Sequence, residues 1–496
     1  MADIPENPLQ DFTQPFTYEE AITKTGSGKF HYFLLLVCGL CFMAGVCETI
    51  GVGIVMYSGQ CDLHFTLAEK GILATAGIIG MMLNLHISGF LQDTRGRVKI
   101  MRLSLLLCIC SSIVSVFSVN TLMLILVRFL TGVFISGFQS CVFTLLAEYH
   151  GNATRARAMS ILSSFLVMGV FYVNLMAYII LNISTSWRVL LVVFLFPSIL
   201  GFIGLMFLPE SPRFLLAQGR DSESLEILRK IYRLNTGNSE SSYEVKNIDT
   251  EGLLTGFNNV KGLSEVLKLM GKQTLELFHK SRIFQTINMC IIDFIICAIG
   301  VGITMWLPTM MNYLVLLGDG SHTVCSAIIE GSSKARNESM VDMCADPNNL
   351  STSQFKTLIY IAIALLFYYT ICSSVITVIG RKPLLLVWFV LGALAAFTMF
   401  WSSYRFYSIF AITLIYQIGK FHGLVLSAAA DYYPPNINAM GVSFVTIIGS
   451  AGLVFGGNIT GPLFLNHCNE MFFGVFGVMV LVICLTMVLP KDRNGK

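Results

Sequence analysis

Stretches of about twenty nearly uncharged, apolar residues recur along this chain, and each is long enough to cross a bilayer as a helix. They begin near residues 32, 70, 99, 122, 158 and 187, and resume near 284, 356, 383, 406, 439 and 470 after a polar gap. No soluble fold buries twelve such segments. Charged residues make up only 12% of the chain against 55% hydrophobic, where soluble domains carry about 25% charged residues. The expected class is an all-α integral membrane protein with twelve transmembrane helices in two six-helix halves. A net charge of +3 says little about partners, and nothing in the sequence resembles a basic nucleic-acid surface, so no nucleic-acid partner is expected. No P-loop, nucleophile elbow or metal cluster points to an enzyme, a cofactor or a bound metal.

The organisation follows from the spans. Residues 1–29 read as a polar cytoplasmic tail without the pattern of a signal peptide. Residues 30–208 form the first half, 209–283 a cytoplasmic linker, 284–490 the second half and 491–496 a second tail. Within the linker, FLLAQGRDSESLEILRKIYRLNTG has apolar residues at helical spacing, as in an amphipathic helix under the bundle. Lys and Arg concentrate in the loops after spans 2, 4 and 8 and in the linker, which puts both termini in the cytoplasm.

The halves repeat. Gly96-Arg97 recurs as Gly380-Arg381, Glu148…Arg155 as Asp431…Asn438, and LPESPR (208–213) as LPKDR (489–493), at offsets of 281 to 284 positions. Two such halves rocking about a midplane site is a transporter arrangement. The segment GFLQDTRGRVKIM (89–101) is then the 2–3 hairpin. Gly89 allows close helix approach, and Gly96 permits the reversal. Asp93 can accept from Arg97 or from the amino end of a neighbouring helix. With Lys99, Glu148, Arg155, Gly380, Arg381 and Asp431, these residues form a candidate gating latch; the plainer reading is a positive anchor alone.

G-x-x-x-D-x-x-G-R-x-K resembles the 2–3 loop signature of the major facilitator superfamily. RFLTGVFISG (128–137) resembles its second motif, with Arg128 as the arginine, and PESPR resembles the motif after span 6 of sugar and organic-ion porters. More narrowly, EEAITKTGSGKFHYFLLL, MAGVCETIGVGI and GITMWLP look like the synaptic vesicle glycoprotein 2 branch, with this chain an insect-type or divergent relative. The resemblance implies a major facilitator fold and alternating access. It also shows departures. The branch's aspartate before Glu48 is Gly45 here, and Thr377 and Asn438 stand where the second half would repeat Asp93 and Arg155.

Ionisable groups inside spans are costly and usually functional. Glu48 in span 1, Asp293 in span 7 and Lys420 in span 10 come from helices that line the central cavity in this superfamily. Lys420 pairing with Asp293 or Glu48 is the expectation, and Glu48 buried without a partner would suit a proton or cation. Arg128 is either a coupling arginine or a fixed structural ion pair. Trp306 leans toward the cavity, and His86 toward a polar contact between helices. The outside 7–8 loop (316–353) carries the sequons Asn337-Glu-Ser and Asn349-Leu-Ser. Cys61, Cys325, Cys344 and Cys468 fall outside, with Cys325–Cys344 the first candidate disulfide. The functional expectation is a monomeric secondary transporter of a small organic solute, coupled to protons, in the plasma membrane or a vesicle membrane. The alternative is a non-transporting glycoprotein serving as receptor or scaffold.

Overall fold

A computed structural model describes residues 16–249 except 185, and 275–489 except 281, 366, 368–379, 434–437 and most of 317–354. Within lipid every backbone N–H and C=O must be satisfied inside the protein, so the apolar stretches have to be helices. The first half contains Lys29–Ser58 (span 1), Leu67–Arg95 (span 2), Arg97–Val116 (span 3), Thr121–Glu148 (span 4) and Asn152–Ile183 (span 5). Span 6 is two helices, Trp187–Phe194 and Phe196–Phe207, separated at Leu195, with Pro197 opening the second. The second half contains Ile283–Leu316 (span 7), the helical segment Phe355–Leu365 (span 8), Arg381–Thr398 (span 9), Asn438–Asn466 (span 11) and Cys468–Met487 (span 12). Span 10 comprises Arg405–Ile418 and His422–Tyr432 around a 3-10 turn, Gly419–Phe421. Span 2 is itself bent by 48°. This is an all-α, twelve-helix bundle.

The internal repeat has a conformational counterpart. Gly96, which opens span 3, has φ 109°, and Gly380, which opens span 9, has φ 89°. Both occupy the left-handed region that favours glycine, so the two Gly-Arg turns reverse the chain in the same way. Elsewhere glycine sets helix separation. A Cβ on Gly132 of span 4 would lie 1.9 Å from the Gly77 carbonyl oxygen of span 2, so these helices cross in backbone contact. Gly89 differs from expectation. A Cβ there would meet nothing within 4 Å, so it mediates no close approach in this conformation.

We call the face bearing the 2–3 and 4–5 turns and the linker the inner face. Contacts between the halves gather at the opposite, outer ends of the spans. Asn458 Nδ2 of span 11 donates to Thr75 Oγ1 of span 2 at 3.0 Å. Gly53 of span 1 faces the Met305 carbonyl of span 7. The Tyr57 and Phe355 rings lie edge to face, 6.0 Å apart, and Lys356 Nζ sits 5.5 Å from the Tyr178 ring centre. The bundle is closed at its outer end.

The segment preceding span 1 is more ordered than a tail. Thr17 and Glu20 form a capping box on the helix Tyr18–Lys24. Its Ala21 and Ile22 pack on Leu228, Tyr243 and Val245 of the linker. Phe16 pairs with the strand-like stretch at Asn247 and Asp249 through two backbone hydrogen bonds. The linker contributes the helices Pro212–Ala217 and Asp221–Thr236 to the same inner layer.

The disulfide expectation is corrected. Cys325 bonds to Cys468, not Cys344, joining the 7–8 loop to the start of span 12 across 143 residues with 5.4 Å between Cα atoms. Both sites stand at the outer end of the second half, so folding brings together what the sequence separates. Cys344 and the sequons Asn337 and Asn349 lie outside the described residues. A bond closing so long a loop contributes about 2–5 kcal/mol. Cys468→Ser should therefore lower the melting temperature of the detergent-purified protein, and adding reductant to the variant should lower it less than in the wild type.

Candidate functional site

Glu48 Oε2 lies 2.6 Å from Arg128 Nη1, and the two side chains are 3% and 4% exposed. Span 1 presents Glu48 on its inward side, and span 4 presents Arg128 a turn or two from its outer end. The pair sits in the outer part of the first half. Two unit charges removed from water this completely are stable only together, since removing one partner of a buried pair costs about 3–5 kcal/mol. Among the described residues Arg128 Nη2 has no hydrogen-bond acceptor, so both N–H groups of that nitrogen go unused there. Three residues before Glu48, a Cβ on Gly45 would meet the Gln139 amide at 3.1 Å, and Gln139 Oε1 is itself without a donor. A glutamine of span 4 thus occupies the space beside Gly45.

In the second half, Asp293 is wholly buried and its Oδ1 lies 2.8 Å from His422 Nδ1. Cys297 Sγ is 3.5 Å from the same nitrogen. His422 arrives there because the 3-10 turn breaks span 10 where Gly419 presses on Gly300 of span 7; a Cβ on Gly300 would fall 2.3 Å from the Gly419 Cα. Among the described residues, the partners of Glu48 and Asp293 are therefore Arg128 and His422. Lys420 is placed by its backbone in the turn, while its side chain lies outside the described residues, as do those of Arg381, Asp431 and His86. Trp306 is 1% exposed. Its Nε1 donates to the Gly457 carbonyl at 2.9 Å, so the indole fills the crossing of spans 7 and 11 rather than facing open space.

The inner latch is built within the first half. Arg97 Nη2 is 2.8 Å from Glu148 Oε1 but 3.5 Å from Asp93 Oδ1. Its stronger partner is thus the glutamate at the foot of span 4. Glu210, from the PESPR stretch, caps span 3: Arg97 N and Val98 N donate to Oε1 at 2.8 and 2.9 Å, and Lys99 N donates to Oε2 at 3.2 Å. A carboxylate there also meets the positive end of the helix dipole. Ser211 Oγ donates to Glu148 Oε2 at 2.6 Å, and Tyr18 OH donates to the Glu148 carbonyl at 2.7 Å. Arg155 holds the Ala147 and His150 carbonyls at 3.2 Å and forms an ion pair with Glu19. Burial pushes the Tyr18 phenol up. Burial also takes His150 down to about 4, which keeps it neutral at pH 7.

Sequence reasoning left three parts of this arrangement unassigned. Glu210 was visible only as a motif letter. The docked helix at Tyr18 and Glu19 carried the S/T-x-x-E signal of a helix start at Thr17. Cys297 and His422 gave no signal, being 125 residues apart. A groove of about 520 Å³ between Phe30, Phe207, Ile227 and Leu234 lies at the inner membrane boundary, away from the buried charges.

Residues 57–329 match the family of sugar (and other) transporters. The chain belongs to this family. Relatives include human synaptic vesicle glycoprotein 2B, 26% identical over 339 residues, covering 63% of this chain and 50% of that protein. The putative transporter svop-1 of Caenorhabditis elegans is 30% identical over 225 residues, 45% of this chain and 43% of that protein. The chain spans about half the length of these curated relatives. Among solved structures, the E. coli xylose transporter XylE in a partially occluded inward-open conformation gives a TM-score of 0.66 at 15% identity, over 94% of this chain and 99% of that one. Its inward-open conformation also gives 0.66, at 13% identity, over 94% and 98%. The fold is that of the major facilitator superfamily.

If Glu48 and Arg128 stabilise each other by charge, the variants should be non-additive. Arg128→Met and Glu48→Gln should each destabilise the purified protein. The double variant should lose clearly less than the sum, because no uncompensated charge remains. A thermal-shift double-mutant cycle measures this.

Proposed function

We propose that this chain is a secondary active transporter that moves a small organic solute by alternating access, with Glu48 and Arg128 as its proton-sensitive element. The observation that carries the reading is the fully buried Glu48–Arg128 pair in a two-half bundle whose halves meet at the outer end. Protonating Glu48 would leave Arg128 charged and uncompensated in a low-dielectric core. Its free Nη2 donor would then seek a new acceptor, from a solute or from the opposite half. That converts a proton into a change of packing between spans 1 and 4. Latch residues Arg97, Glu148, Asp93 and Arg155 would exchange partners as the inner end closes.

The inner face is read as cytoplasmic, with both termini on that side, in a plasma or vesicle membrane and with a monomer as the working unit. Family membership supports a small organic solute as cargo. Gly45, filled by Gln139 where the resembled branch carries an acid, favours the second reading of a non-transporting receptor or scaffold glycoprotein.

One experiment separates the readings. Cells expressing wild type and Glu48→Gln at matched surface and vesicle levels are compared by untargeted profiling of small solutes inside and outside. The transporter reading predicts at least one solute whose distribution follows wild type alone and depends on the pH difference across the membrane. Identical profiles, with both proteins folded, would reject it in favour of the scaffold.

A further inference from the structure

We propose that Asp293, Cys297 and His422 form a binding site for one borderline-soft divalent cation of the Zn²⁺ class. The three side chains each offer one ligand atom, and all of these lie within 4.8 Å of one another. Asp293 and Cys297 are one turn apart on span 7, so their side chains share a face. His422 closes the set from the broken span 10. Its Nδ1 lies 2.8 Å from the carboxylate oxygen and 3.5 Å from the sulfur. Ligand atoms of a tetrahedral zinc centre, with bonds of about 2.0–2.3 Å, stand about 3.3–3.7 Å apart. The nitrogen–sulfur separation already falls in that range, and the nitrogen–oxygen separation would open by about half an ångström once a cation replaces the shared proton.

Chemistry and surroundings point the same way. Oxygen, nitrogen and sulfur donors together suit zinc better than the oxygen-seeking magnesium or calcium. Three protein ligands leave a fourth position for water or solute, the pattern of reactive rather than purely structural zinc. His422 is 34% exposed beside a carboxylate that is 0% exposed, so one side of the set is open and the other closed. Among the described residues, Asp293 Oδ2 is buried without any hydrogen-bond donor. A hydrogen-bonded Asp–His pair alone leaves that oxygen unsatisfied, whereas a cation neutralises the whole carboxylate. On binding, the Cys297 thiol loses its proton to solvent and His422 shifts its remaining proton to Nε2, freeing Nδ1 for the metal. The cation would then staple span 7 to span 10 at their closest crossing, next to the Gly300–Gly419 contact.

The inference does not depend on the transport reading, and its test needs no transport. Full-length protein in detergent is dialysed against Zn²⁺, and against Co²⁺ as a spectroscopic probe. The proposal predicts one saturable Zn²⁺ per chain and a thiolate-to-cobalt charge-transfer band with tetrahedral ligand-field absorption. Cys297→Ser, close in volume, should lose the charge-transfer band and weaken zinc binding by at least about tenfold. Asp293→Asn should weaken it comparably. Cys110→Ser and Cys484→Ser, which change exposed free thiols, should leave both readouts unchanged. Absence of saturable binding in folded wild type overturns the proposal. So does a charge-transfer band that survives Cys297→Ser.

Discussion

Glu48 and Arg128 are the constraint around which the first half is arranged. A carboxylate and a guanidinium at this depth tolerate neither separation nor exposure to lipid. Spans 1 and 4 must therefore hold a register that keeps 2.6 Å between them. Span 4 in turn lies in backbone contact with span 2 through Gly132 and Gly77, and span 2 carries Thr75 to the contact with Asn458 of the other half. Glu48 is thus linked to the outer closure by packing through spans 1, 4 and 2, by way of one glycine–glycine crossing and one side-chain hydrogen bond. The route is physical packing, and the proposed rocking would require each of these contacts to shift or to move as a unit.

The inner face shows complementary logic. Arg97, Glu148, Glu210, Ser211 and Arg155 satisfy one another within the first half, and the helix Tyr18–Lys24 adds Tyr18 and Glu19 to the same cluster. Gly89, which would allow a partner helix close access, faces open space. Both facts fit a bundle whose inner end is spread, with its latch residues parked on local partners. The second half is built differently. Its buried acid pairs with a histidine from a broken helix, and the Cys325–Cys468 bond ties its outer loop to span 12.

Much of this was legible in the sequence for identifiable reasons. A spanning helix needs a long apolar run, and duplication preserves spacing, so the spans and the paired Gly96 and Gly380 turns could be read directly. Glu48 and Arg128 were also readable as costly charges in apolar surroundings, though the sequence favoured Lys420 as the partner. What could not be read is what only tertiary contact creates. The His422 approach to Asp293 depends on a 3-10 break that no local signal marks. The Cys325 partner is set by which loops share the outer end, not by proximity along the chain. The inner docking of residues 16–25 depends on a linker surface more than 200 residues away. Trp306 illustrates the converse, since an aromatic at a cavity-lining register found its partner in a glycine-lined helix crossing.

The central claim is that this bundle rocks between two states and that Glu48 biases them. Spin labels placed by non-cysteine chemistry at Ala68 and Glu470, both exposed at outer ends of opposite halves, measure that motion directly through their distance distribution in lipid nanodiscs. The account predicts two populations, a short outer-closed distance matching this structure and a longer one, with proportions that change in Glu48→Gln. A single distance, identical in wild type and variant across pH, would contradict it.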